Sequence, residues 1–253
     1  MSTDFERQER ALLCRMLRNV GEQEARRLPK ELTAFASMKG ERFAGELVVV
    51  GRAPNGWRVK WTPEDLLEAA ALDRIVEETL QSSRGRGDRN ECPMLWVSDL
   101  WGNRGERADG EKYNTKKSAF WRVIRSVAGK LGVDIDKPSW PTYLAWSNLY
   151  RVAPCSGGNP SAFLCRAQVT ECIELFAAEL AEWKPKRVLM LTGLGWAQEF
   201  LKGKPAVARA KYVEGVFELG LAGGTHKARI VVSKHPERKP ETPLVEEVMA
   251  AFQ

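Results

Sequence analysis

Two side chains in this sequence carry the chemistry to recognise and activate a flat polar ligand, and each closes an apolar run. Asn148 ends "YLAWSN" (143–148). Its amide offers a donor and an acceptor together, the pairing needed to read the edge of a pyrimidine or a purine. A turn-forming asparagine at a strand end would carry the same signature. His235 follows "IVVSK" (230–234) and precedes Pro236, which restricts it to extended geometry and aims the ring out of the strand end. Histidine is the usual acid, base or hydrogen-bond donor at neutral pH; the alternative is a structural histidine. The third candidate is a cation: "ELVVVGRAPNGW" (46–57) breaks from a buried apolar run into a loop whose only ionisable side chain is Arg52. A guanidinium holds phosphate or stacks on a ring, but it is no base.

Residues of this kind need elements to hold them. Strand-like runs at 46–50, 142–149, 187–192 and 228–233 alternate with helical patterns at 63–81, 116–131, 166–183, 194–202 and 242–252. Thr62 and Pro63 read as the N-cap and first position of one helix. Such alternation predicts a parallel sheet covered on both faces. Ligands of such sheets sit beyond the carboxyl ends of the strands, here the loops "GRAPNGW" (51–57), "NLYRVAPCSGGNPS" (148–161), "GLGWAQ" (193–198) and "KHPERKP" (234–240). The glycines Gly193 and Gly195 fit helix–sheet packing better than a phosphate site. Residues 216–224 with 227–233 read as a hairpin, 94–100 as an edge strand or part of an insertion, and 4–39 as a helical N-terminal stretch with Leu12, Leu13, Met16 and Leu17 on one side. The predicted organisation is an N-terminal helical extension over 1–44 and one α/β domain over 45–253, with an insertion around 82–117.

Composition narrows the partners. There are 39 Lys and Arg against 33 Asp and Glu, a formal charge of +6, which favours an anionic partner such as nucleic acid. The cations gather with Gly, Ser and Asn at 82–90 and 102–117, as in flexible basic loops. The five cysteines form no CxxC pair. That argues against a disulfide framework and for a reducing, cytoplasmic setting; a metal site from Cys155, Cys165 and Cys172 is the less favoured reading. No apolar stretch is long enough to span a bilayer, so no membrane partner is expected. No Walker-type phosphate loop or G-x-S-x-G elbow occurs, which disfavours a P-loop nucleotidase or a serine hydrolase.

In order and spacing, "VVVGRAPNG", "AWSNLYRVAPCSGGNPS", "EWKPKRVLMLTGLGWAQEFL" and "ARIVVSKHPERKP" together resemble the four motif segments of the uracil-DNA glycosylase superfamily, over about 45–60 and 140–253. The resemblance implies a three-layer α/β/α sandwich with a central four-stranded parallel sheet. It implies a chain that acts on single- or double-stranded DNA and removes uracil or another damaged base flipped into a pocket; a monomer is expected. Asn148 would bond the base edge, with Gly51, Arg52 and Ala53 around it. His235 would donate to the carbonyl that gains charge as the N-glycosidic bond breaks. Tyr113 and Phe120 are candidates for the ring stacked on the base, and Pro54, Pro236, Arg238 and Lys239 for DNA contacts. The sequence departs from the family at the first motif. An acid or amide usually handles the attacking water there, but Arg52 and Ala53 occupy the positions between Gly51 and Pro54, leaving Asn55 as the nearest substitute. The cysteines of the iron–sulfur branch are also unmatched. Cys172 fits the last, but Val152 stands where the preceding one belongs and Cys14 has no partner two residues away. No cofactor is therefore expected. The alternative is a nucleic-acid-binding protein on the same fold that cuts nothing.

Overall fold

The computed structural model describes residues 3–23, 27–57, 59–84, 92–102, 105–106, 112–201, 210–220 and 227–253. In chain order, the first half holds α1 (Asp4–Gly21), β1 (Leu32–Ala34), β2 (Met38–Lys39), β3 (Leu47–Gly51), β4 (Lys60–Trp61), α2 (Ala69–Arg84), α3 (Trp96–Asp99), β5 (Gly105–Glu106), β6 (Lys112–Tyr113) and α4 (Ala119–Lys130). The second half holds β7 (Ala145–Asn148), β8 (Val152–Pro154), α5 (Ala162–Trp183), β9 (Arg187–Met190), α6 (Leu194–Ala197), β10 (Val213–Gly220), β11 (Lys227–Ser233) and α7 (Glu241–Ala251).

The main sheet has six strands in the order β10-β11-β9-β3-β7-β2. It is mostly parallel: β11 with β9, β9 with β3 and β3 with β7 run the same way, while the edge strands β10 and β2 are antiparallel. The four runs expected from the sequence are β7, β3, β9 and β11, and the expected four-stranded sheet is widened to six at its edges. Both additions have a local cause. β10 is the other arm of the expected hairpin, paired Phe217 to Ile230. β2 is two residues long, too short to leave a periodic signal, and pairs Met38 with Trp146.

The strands read as continuous apolar runs because both faces are covered. Side chains alternate between faces. Val48, Val50, Val188, Met190, Ile230 and Val232 join one core with residues of α1, α2 and α5, including Leu13, Leu80 and Leu175. Leu47, Val49, Leu189, Leu191 and Val231 join the other with residues of α4 and α7, including Ile124, Val127 and Val248.

Three sequence expectations change. The helical stretch expected over 4–39 stops at Gly21, where the Glu22 N–H bonds back to Arg18 and Val20 carbonyls. Beyond it, the apolar run Leu32–Ala36 supplies β1 and the core rather than a helix. α1 itself opens on a reciprocal capping box, Glu6 N to Thr3 Oγ1 at 3.1 Å and Thr3 N to Glu6 Oε2 at 2.9 Å. Its Leu12, Leu13, Met16, Leu17 and Val20 are buried in the same core as α5. Residues 94–100 form no strand. Pro93 starts a 3-10 turn that runs into α3, and Met94, Trp96 and Val97 are buried at helical spacing. The helix expected over 63–81 divides into a 3-10 turn, Pro63–Leu67, and α2, where Glu68 takes extended geometry between them.

A second sheet lies beside the first, in the order β4-β1-β8, all antiparallel. It joins the chain just past the first loop (β4) to the chain just past Asn148 (β8). The Cys155 N–H to Glu31 carbonyl bond, 3.0 Å, continues that tie.

Candidate functional site

A cleft of about 850 Å³ opens at the carboxyl ends of β3, β7 and β11. Gly51, Arg52, Ala53 and Asn55 border it from the first loop, Asn148 from β7, and His235, Glu237 and Arg238 from the loop after β11. Tyr113 and Phe120 face it from the chain around α4. Residues distant in sequence therefore meet in one place. The loop 193–198, expected as a fourth wall, is not among the lining residues.

Asn148 is the last residue of β7 and pairs with Gly51, the last of β3. It is 2% exposed, and its Nδ2 has no hydrogen-bond partner among the described residues. A buried amide donor left unpaired costs about 1–3 kcal/mol, so its presence at a cleft calls for a ligand acceptor. Gly51 makes the placement possible. A Cβ there would lie 2.4 Å from Asn148 Oδ1 and 3.5 Å from the Phe120 ring edge. The absent side chain lets the amide and the ring converge.

Phe120 lies in the first turn of α4 and meets Trp121 edge-on at 5.2 Å between centroids. Ser118, Ala119 and Trp121 also border the cleft, so α4 presents its N-terminal end to it. The first N–H groups of a helix have no intrahelical acceptor and carry its positive dipole end, which suits a ligand oxygen gaining charge. The Tyr113 ring lies 6.3 Å from the Trp96 ring. Of the two stacking candidates, Phe120 is the one against Gly51 and Asn148. Behind them Trp57, Trp96, Trp121 and Trp146 form a contiguous floor, with ring centroids 5.2–5.5 Å apart. Trp146 lies two residues before Asn148 and so projects to the same face of β7.

His235 is half-buried. The Glu237 N–H donates to its Nδ1 at 3.4 Å, which assigns the ring proton of the neutral form to Nε2. Burial holds its pKa below the ordinary histidine range, and the charge of Arg52 acts in the same direction. The imidazole is therefore a neutral donor at neutral pH rather than a cation. Arg52 does not extend outward as a phosphate ligand. Its Nε donates to the Thr192 carbonyl at 2.7 Å, and its guanidinium lies 5.4 Å from the Trp196 ring centroid. It ties the first loop to the end of β9 and places a fixed positive charge beside His235.

The remaining sequence candidates are divided. Pro54 and Pro236 are buried and are not among the residues that border the cleft. Arg238 and Lys239 are exposed, and Arg238 holds left-handed backbone at φ 57°. Asn55 borders the cleft with its Oδ1 accepting from the Gly158 N–H at 3.0 Å, so this oxygen links two loops. The basic stretch 82–90 is described only as far as Arg84, and 102–117 without 103–104 and 107–111; His226 also lies outside the described residues. Cys172 Sγ packs 3.7 Å from Met16 Sδ, and burial pushes its thiol up to about 12. No cluster of metal-ligating side chains and no helix long and apolar enough to cross a membrane occurs among the described residues.

Sequence reasoning missed two groups. Glu237 hides as a charged turn residue, although it lies two positions after His235 in a loop already singled out. The other is the support behind Asn148. Glu179 of α5 accepts from Ser147 Oγ at 2.8 Å and from Arg151 Nη2 at 2.7 Å. Arg151 and Glu179 are each 1% exposed. One carboxylate thus grips the chain on both sides of the segment Asn148–Tyr150. Glu9 of α1 lies in the same buried neighbourhood, its pKa raised to about 7 by burial and then by the charge of Glu179.

Neither a scan against protein-family models nor a search of curated proteins returns a match. The functional reading therefore rests on the cleft.

Proposed function

We propose that this protein is a DNA glycosylase that hydrolyses the N-glycosidic bond of a flipped uracil or other damaged base. The observation that carries this reading is the convergence of Asn148, with its unpaired Nδ2, Phe120 and His235 on one cleft. The mostly parallel sheet with helices on both faces supports a uracil-DNA glycosylase-like fold. The base enters edge-first between Phe120 and the first loop, and the Asn148 amide bonds its polar edge. As the bond to C1′ breaks, charge grows on a base oxygen. The neutral His235 donates to that oxygen from Nε2, and the N-terminal end of α4 stabilises it further. Donors already in place at such a position lower the barrier by about 3–4 kcal/mol each.

Oligonucleotides carrying uracil, hypoxanthine or xanthine, incubated with the protein and then treated with alkali, test the proposal. We expect cleavage at one or more of these bases, lowered at least 10²-fold in both Asn148→Ala and His235→Ala. The lack of a carboxylate in residues 51–57 favours a second reading, a nucleic-acid-binding protein without hydrolysis. Salt-sensitive binding that survives His235→Ala, with no cleavage of any substrate, would establish that reading instead.

A further inference from the structure

The proposed hydrolysis needs a group to orient and deprotonate water, and the first loop offers none. We infer that Glu237 supplies this carboxylate from the loop after β11. This inference rests on the glycosylase reading. Among the described residues bordering the cleft, Glu237 is the only acid. Nearby carboxylates are already committed. Glu214 accepts from the Leu194 N–H at 2.7 Å, and Glu241 accepts from Arg122 Nε at 2.8 Å. Among the described residues the Glu237 side chain has only a long ion contact, 3.9 Å to Arg238, and it is 68% exposed, so it can hold a water.

Its position is coupled to the histidine. The Glu237 backbone donates to His235 Nδ1, and the Lys239 N–H closes the turn on the Pro236 carbonyl at 3.0 Å. The next residue, Arg238, takes left-handed backbone without being a glycine, a conformation that is uncommon and gathers at functional sites. The turn therefore delivers an imidazole and a carboxylate to one cleft as a unit. The charge of Glu237 is felt at both Arg52 and His235, and the charge of Lys239 also reaches His235. In the step itself, the water oxygen bonds to C1′ while the C1′–N bond breaks, and its electron pair leaves with the base. The water proton passes to the Glu237 carboxylate. The base, its oxygen held by His235 Nε2–H, takes a proton from solvent, and the carboxylate returns its own. One water is consumed and nothing is oxidised or reduced.

The test uses the full chain and whichever lesion oligonucleotide the wild type cleaves. Single-turnover release is measured for Glu237→Gln and Glu237→Ala, and binding by anisotropy with an oligonucleotide carrying a tetrahydrofuran abasic analogue. We expect release to fall about 10²-fold in both variants, with the dissociation constant unchanged within threefold or tighter. Formate should partly restore Glu237→Ala but not Glu237→Gln. If Glu237→Gln releases base within threefold of the wild type while Asn148→Ala has lost release, this inference fails and the glycosylase reading stands. Loss of binding in step with rate would make Glu237 a DNA contact and also overturn it. A wild type that releases no base from any substrate overturns both.

Discussion

Removing Glu179 should disable the protein from behind its cleft. Arg151 would be left with a positive charge it cannot discard, in a site where it is 1% exposed. Neither partner is screened by solvent, so the discount that applies to surface pairs does not apply. Breaking such a pair from one side costs roughly 3–5 kcal/mol, and in a chain of this length that lowers the melting temperature by roughly 6–10 °C. Glu9 is a second carboxylate whose charge interacts with Arg151. Its pKa stands near 7 partly because Glu179 repels it, so loss of Glu179 lets it ionise at lower pH and take over part of the pairing with Arg151. A group raised in the fold contributes stability below its unfolded pKa and loses it as pH rises through the folded value. Relief of the Glu9–Glu179 repulsion therefore matters most at high pH, and the penalty of Glu179→Gln should be smaller at pH 8 than at pH 5.5. Circular-dichroism melts of wild type and Glu179→Gln at both pH values measure this. A melting temperature within 2 °C of wild type at both, or a larger penalty at pH 8, refutes the clamp. Replacing the pair together, Glu179→Leu with Arg151→Met, should recover most of the loss, since no buried charge then stands alone.

Gly51→Ala would set a methyl 2.4 Å from Asn148 Oδ1 and push the amide out of register. We expect base release to fall about 10²-fold, as misplacement by an ångström commonly does, with the far-ultraviolet circular dichroism retained. Arg52→Gln removes one of the three influences that hold His235 below its ordinary range; burial, the largest, and the charge of Lys239 remain. Its pKa, followed by NMR titration of the ring, should rise part of the way back. In the wild type the lowered pKa makes stability rise with pH between the folded and ordinary values, and that dependence should be shallower in Arg52→Gln.

The parallel strands were legible because burial on both faces leaves runs such as Leu47–Val50, which no half-exposed strand would show. Asn148 and His235 were legible because each ends such a run, where a parallel sheet gathers its loops. Two-residue strands such as β2 leave no periodicity to detect, since they are defined only by the partner they meet. In 94–100 the buried Trp96 and Val97 are adjacent, and a short apolar run does not distinguish strand from helix. The direction of Arg52 was not legible at all. A guanidinium reaches many places from one backbone position, and Thr192 and Trp196, which capture it, lie 140 residues or more downstream. Glu179 was invisible for the same reason: a carboxylate in a helical pattern reads as a solvated face until the buried arginine opposite is known.

The four-indole floor has an optical consequence. Trp57, Trp96, Trp121 and Trp146 touch one another and border the cleft. Indoles in contact exchange excitation far faster than they emit, so the four behave as one chromophore. Anything that quenches a single ring darkens them all. An occupant seated beside Asn148 would thus announce itself in the protein's own ultraviolet emission, without a label and before any bond is broken.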